Sequence, residues 1–206
     1  MGKTDWKAEA KTLKKKLRKL KDVAVAAPAK ALTKGKATKP VSPLAPAAFP
    51  VLPRIKGAEF AAVEAGVRYQ NRKDVMLVRL APGTTLAGVF TRSSTRSGCV
   101  RDCQDKLALK VPNGAGAAII VNSGNSNAFT GKIGDKAVAA VTGAVAKALD
   151  IPTSRVFSSS TGVIGEPLPH DRITAKVPEL AAGLTEAAIE GAVQQALLAA
   201  EGSRRA

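Results

Sequence analysis

The stretch AAIIVNSG, residues 117–124, decides the reading of the fold. Its apolar run, rich in β-branched residues, has the length and character of a buried strand. Asn122, Ser123 and Gly124 then open it into a polar loop, VNSGNSNAFTG, residues 121–131. DKAVAAVTGAVAKALD, residues 135–150, follows with Ala and Val on one broad face and Asp135 near its start, which predicts a helix. VFSSSTGV, residues 156–163, is of another kind: two apolar residues, four hydroxyls, then glycine. Upstream, AEFAAVEAGVRY (58–69) and DVMLVRLAP (74–82) read as strands, and LAGVFTR (86–92) as a strand pairing with the second. Downstream, a short helix begins in PHDRITAKVPEL (169–180), and a longer one spans 184–201 with Thr185 as its N-cap. Interleaved strands and helices predict a mixed α/β domain.

The 206 residues carry a formal charge of +16, but not evenly. Residues 1–40 hold 13 Lys/Arg against Asp5, Glu9 and Asp22, a net of +10 that leaves only +6 for the remainder. Within 3–24, Trp6, Ala10, Leu13, Leu17, Leu20 and Ala24 recur at spacings of four and three among many lysines. This pattern fits an amphipathic helix for an anionic membrane, RNA or an acidic partner, a brief coiled-coil pairing, or a solvated helix opposed by its own charges. Residues 25–53 are rich in Ala, Pro and Lys and read as an extended linker. The expected division is therefore 1–53, largely disordered, and 54–206, globular.

Aromatics are only 3% of the chain, which suits helix–sheet packing and not base stacking, so a nucleic-acid partner for the body is not expected. No apolar run reaches the roughly 18 residues of a membrane span. Cys99 and Cys103 with a single histidine fall short of the roughly four ligands of a zinc site, and free thiols of a cytoplasmic protein are the expectation.

Residues 158–161, followed by Gly162, invite four readings: nucleophile, phosphate cradle, oxyanion donor or strand end. The phosphate loop fails for want of G-x-x-x-x-G-K-[ST], and the nucleophile elbow for want of G-x-S-x-G. A Ser–His–Asp triad would have to use His170, beside Asp171 at the start of a helix. What survives is electrostatic: a Thr hydroxyl and a glycine N–H side by side can donate to a developing oxyanion. In residues 121–131, Asn122, Asn125 and Asn127 offer carboxamides and Gly124 and Gly131 unusual backbone angles, and the same residues are also what turns are made of.

Five blocks in order carry a resemblance: SPLAP…FPVLP (42–53), AGVRYQNRKDVMLV (65–78), GTTLAGVFTRSSTRSGCV (83–100), VNSGNSNAFTG (121–131) and SSTGVIGEPLP (159–169). Over about residues 42–195 the chain resembles the ornithine acetyltransferase family, the bifunctional glutamate N-acetyltransferases of arginine biosynthesis. The resemblance implies an α+β sandwich, and a precursor that cleaves itself into two chains joined in a heterotetramer-like assembly. The new N-terminal threonine of the second chain carries acetyl from N-acetylornithine, or in some members acetyl-CoA, to glutamate. It implies no cofactor and no metal.

By motif match, Thr161 and Gly162 take the place of the family's oxyanion donors, with Asn122, Gly124, Asn125 and Asn127 as structural neighbours. Past the helix around 184–197 the match ends. Neither the Thr-Thr-Asp segment nor the Ala-Thr-Met-Leu run of the nucleophile occurs. The expectation is a truncated first-chain half, with apolar surface left exposed, whose partner is a second-chain half. The competing expectation is a non-catalytic basic protein that binds RNA or membrane through residues 1–40.

Overall fold

The computed structural model describes residues 12, 14–16, 52–112 and 114–189. Of the basic arm, Thr12, Lys14, Lys15 and Lys16 are helical and exposed. The rest of the 3–24 helix, the 25–53 linker up to residue 51 and the 184–201 helix beyond residue 189 lie outside the described residues.

The globular unit is built on one four-stranded sheet of β1 (Ala58–Val63), β2 (Val75–Leu80), β3 (Ala117–Asn125) and β4 (Val156–Val163), in the order β1-β2-β3-β4. The first two pairings are antiparallel, and β3 and β4 run parallel. A parallel pair needs a long crossover, and here it is α2 (Gly131–Leu149). The Ala/Val stripe of α2 (Ala137, Val138, Val141, Val145) and Ile173, Val177 and Leu180 of α3 (His170–Ala182) are buried. They pack on the alternate residues Ala61, Val63, Val75, Leu77, Ala118, Ile120 and Val156, which therefore share one face of the sheet. Fully burying side chains such as Leu77, Ile120 and Leu180 contributes on the order of 1.5–3 kcal/mol each. The intervening residues, including Ile119, Val121, Phe157, Ser159 and Thr161, look out of the other, open face.

Three expectations are corrected. The first strand stops at Val63 and does not run to residue 69. The fully buried Asp74 carboxylate accepts the N–H groups of Ala65 (2.7 Å) and Val67 (2.6 Å), drawing the chain into a loop. Residues 86–92 form no strand, because β2 is interior and both of its edges are already taken by β1 and β3. A helix not expected from the sequence, α1 (Gly98–Leu107), lies along the edge of β4. Its Cys99, Cys103 and Leu107 recur every four residues, a stripe that reads as a helix face once the cysteines are counted as small apolar residues.

The edge of β4 explains what α1 is for. The carbonyls of Val156 and Ser158 point away from β3 and would be left as unpaired acceptors on an open edge. Lys106 Nζ donates to Val156 O (2.8 Å), the Cys103 thiol donates to Ser158 O (3.3 Å), and Cys99 Sγ lies 3.3 Å from Ser160 Oγ. Both cysteines are free and buried. Burial pushes the Cys103 thiol above its ordinary pKa, so at neutral pH less of it is thiolate than of an exposed cysteine. Alkylation by iodoacetamide at pH 7.5 should therefore run at least about tenfold slower than for a free thiol and accelerate on unfolding. Equal native and unfolded rates would contradict this packing. Among the described residues no helix is long and apolar enough to cross a membrane, and no cluster of metal-ligating side chains forms.

At their C-terminal ends β3 and β4 close to an unusual separation, with Gly124 opposite Gly162 and a register shift beginning at Asn125. Gly162 has φ of +135°, and a Cβ built on it would lie 2.3 Å from the Gly124 carbonyl carbon and 2.6 Å from Asn125 N. Only glycine fits. Gly162→Ala should destabilise the domain by about 3 kcal/mol, roughly 10 °C in Tm for a chain of this size. Gly83→Ala, at φ of +82° but with nothing within 4 Å, should cost about 1 kcal/mol. Thermal unfolding of the two variants checks this, and equal losses would contradict the close-approach account.

Candidate functional site

The ends of the parallel pair bring together the two loops singled out in the sequence. Residues 122–131 leave β3 and residues 161–169 leave β4. Asn122 (4% exposed), Asn125 (3%) and Asn127 (0%) are buried, and their side chains are spent on the protein itself. Asn122 Nδ2 donates to Asn125 O (2.9 Å), and its Oδ1 accepts from Ser160 Oγ (2.6 Å). Asn125 Nδ2 spans to the carbonyls of Glu166 (3.1 Å) and Pro167 (3.2 Å), while its Oδ1 accepts from Asn127 N (2.7 Å). Asn127 Nδ2 donates to Gly134 O (3.0 Å) and its Oδ1 accepts from Thr130 Oγ1 (2.9 Å), tying the loop to the first turn of α2. Ser126, through both N and Oγ, and Gly165 N complete the seam with Val163 O and Ala128 O. All three carboxamides are thus hydrogen-bonded within the protein, as the turn and the seam between the two loops require.

The hydroxyl run divides by the alternation of the strand. Ser158 and Ser160 face the helices, where Ser158 Oγ is buried without a partner beside a cavity of about 10 Å³. Ser159 and Thr161 face the open side. Ser159 is exposed and Thr161 half-buried, and the Thr161 hydroxyl bonds to no described residue. His170 begins α3, and among the described residues its ring meets Asp171, at 3.4 Å, and none of the serines, so no triad assembles among them.

A third loop, between β1 and β2, completes the surroundings. Arg68 Nη1 pairs with Glu166 Oε2 at 2.6 Å, joining this loop to the one that follows β4. The pair holds the Arg68 guanidinium above even its ordinary pKa. Tyr69 and Arg72 stand beside it, the guanidinium carbon 4.4 Å from the ring centre. Arg72 Nη2 lies 3.5 Å from Ser123 Oγ. Ser123 is the register partner of Thr161. Sequence reasoning passed over Arg72, because its relation to Thr161 spans three separate segments and leaves no periodic signal.

Removing the Asn127 side chain would take away the bond to Gly134 O and the one from the Thr130 hydroxyl, at a backbone held at φ of 48°. Asn127→Ala should cost about 2–3 kcal/mol. Asn127→Gly should recover part of it by relieving the backbone. Urea unfolding of both variants reads the difference, and an alanine variant as stable as the parent would contradict the structural role.

Comparison with known proteins follows the same lines. The model of the ArgJ family matches residues 59–201. The chain is 59% identical over 154 residues to the arginine biosynthesis bifunctional protein ArgJ of Ruegeria pomeroyi, covering 75% of this chain and 37% of that protein. It is 47% identical over 141 residues to the protein of the same name from Nitrobacter winogradskyi, covering 68% and 34%. The chain thus spans about a third of the length of the curated relatives it matches. Among solved structures it is similar to ornithine acetyltransferase from Mycobacterium tuberculosis, crystallised with ornithine, at a TM-score of 0.59 and 33% identity, covering 64% of this chain and 69% of that one. ArgJ from Bacillus halodurans gives a TM-score of 0.54 at 33% identity, covering 60% and 63%.

Proposed function

The chain belongs to the ArgJ family, and from that premise we propose that it supplies the oxyanion-stabilising half of a glutamate N-acetyltransferase site. The observation that carries the reading is the placement of Thr161 and Gly162. Thr161 turns its hydroxyl to the open face with no described protein partner. The carbonyls of Val156 and Ser158 face the edge of β4, and counting on in twos puts the Gly162 main chain on that edge too. The two residues are neighbours in the chain, held by the close approach of Gly162 to the β3 backbone and backed by the asparagine seam, which supports this pairing.

In the proposed step a threonine hydroxyl, carried by residues outside these 206, attacks the acetyl carbonyl of N-acetylornithine. Its α-amino group takes the hydroxyl proton, a base that needs no histidine. The carbonyl oxygen becomes an oxyanion, which receives hydrogen bonds from Thr161 Oγ1 and Gly162 N. Collapse breaks the C–N bond, the proton passes to the departing ornithine amine, and the acetyl ester forms. Attack by the glutamate amine reverses the sequence, with the same two donors stabilising the second oxyanion. Such donors stabilise a transition state but start no reaction, so a second-chain half is the required partner. We place the reaction in the cytoplasm, a compartment in which free thiols such as Cys99 and Cys103 persist.

The test is to join this chain to the remaining length of the Ruegeria pomeroyi relative and assay acetyl transfer from N-acetylornithine to glutamate. The joined protein should turn over and the 206-residue chain alone should not. Thr161→Ala in the joined protein should lower kcat by roughly 10²–10³ with KM little changed. A loss below threefold, or brisk transfer by the chain alone, would remove the basis for this reading.

A further inference from the structure

Several arginines among the described residues are already paired. Arg68 pairs with Glu166, Arg79 with Glu59 and Arg101 with Asp135. Arg72 is not. Its guanidinium has no carboxylate in ion-pair reach among the described residues, its Nε is buried with no hydrogen-bond partner, and its one hydrogen bond is the long contact of 3.5 Å to Ser123 Oγ. The residue is half-buried, so the charge is partly withdrawn from water without compensation inside the protein. The Tyr69 ring, 4.4 Å from the guanidinium carbon, covers a face of the guanidinium and leaves its in-plane N–H groups to other partners. A guanidinium fixed in this way is built to receive a planar anion through two parallel hydrogen bonds.

We propose that Arg72 binds the α-carboxylate of the amino-acid substrate. The identity of the ligand rests on the transferase reading above; the preference for a carboxylate rests on Arg72 itself. Distance selects which carboxylate. Arg72 sits over Ser123, whose register partner is Thr161. Neighbouring strands lie about 4.8 Å apart, so the guanidinium, at 3.5 Å from Ser123 Oγ, is on the order of 5–8 Å from the Thr161 side chain. In an N-acetylated amino acid the α-carboxylate is joined to the acetyl nitrogen through a single carbon, so it falls within that spacing of the carbonyl at Thr161. The α-carboxylate is also what donor and acceptor share, whereas their side chains end in an amine in one and a carboxylate in the other. One arginine can thus anchor both halves of the exchange while the side chains are read elsewhere. Arg72 is on this account a binding and positioning residue.

The experiment is equilibrium binding to the full 206-residue chain, followed by NMR shift titration with L-glutamate, L-glutamine and isoglutamine. Glutamine keeps the α-carboxylate and amidates the side chain; isoglutamine does the reverse. Glutamate and glutamine should bind alike and isoglutamine about tenfold or more weakly, as expected for loss of a charge-assisted contact. Arg72→Gln should weaken glutamate and glutamine by about tenfold and erase the difference from isoglutamine, while Arg72→Lys should recover part of the affinity. Arg79→Gln, ion-paired with Glu59, should change nothing. Arg72 makes one long hydrogen bond, so its variants should keep the parent melting temperature, measured alongside. Equal binding of glutamine and isoglutamine, an unchanged Arg72→Gln, or no binding by the parent chain would overturn the proposal. No acetyl moves in this assay, so it can fail while Thr161 still governs turnover, and it can succeed where Thr161→Ala has no kinetic effect.

Discussion

The close approach of Gly124 and Gly162 is the constraint on which the rest of this domain depends. Two parallel strands that keep ordinary spacing to their ends would simply diverge into two loops. Here the absence of a side chain at Gly162 lets the backbones close, and the register shift at Asn125 accompanies that closure. The shift turns Asn125 inward to bond the carbonyls of Glu166 and Pro167. That in turn sets the course of the chain toward Leu168 and α3. A side chain at Gly162 would collide with backbone, which cannot move aside as a flexible side chain can.

The same closure sorts polar groups into two classes. Asn122, Asn125 and Asn127 carry most of the chemistry that composition alone would call functional, yet each is buried and spoken for within the protein. Unpaired buried amides would each cost on the order of 1–3 kcal/mol, so bonding them within the protein is what stability requires. Thr161 and Arg72 are the opposite case. They have hydrogen-bonding capacity unspent, one a neutral donor and the other a cation, linked through Ser123, which touches Arg72 and is the register partner of Thr161. A site for an anionic substrate with a developing negative charge needs that combination, and its rigidity comes from the seam behind it.

Much of this was legible in the chain. The strand at 117–124 and the helix begun by 135 follow from apolar runs and Ala/Val periodicity, and the glycine after the hydroxyl run marked the end of β4. The pairing of residues 86–92 with β2 was not legible as wrong, because nothing local reveals that β2 lies between two neighbours. The early end of β1 depends on Asp74, whose carboxylate acts on N–H groups seven and nine residues back. Cys99 and Cys103 invited questions of redox and metals and so concealed the helix they sit on. Thr161 and Gly162 were singled out by the order of motifs, and Arg72 by geometry alone.

The central claim is that the donors at the end of β4 face the reacting oxygen. It is tested most directly by a crystal structure of this chain joined to the remaining length of a relative, with a tetrahedral analogue of the acetyl-transfer intermediate bound. The account predicts the analogue's oxyanion within about 2.7–3.1 Å of both Thr161 Oγ1 and Gly162 N. An oxyanion held by other donors, with Thr161 and Gly162 beyond hydrogen-bond reach, would contradict it.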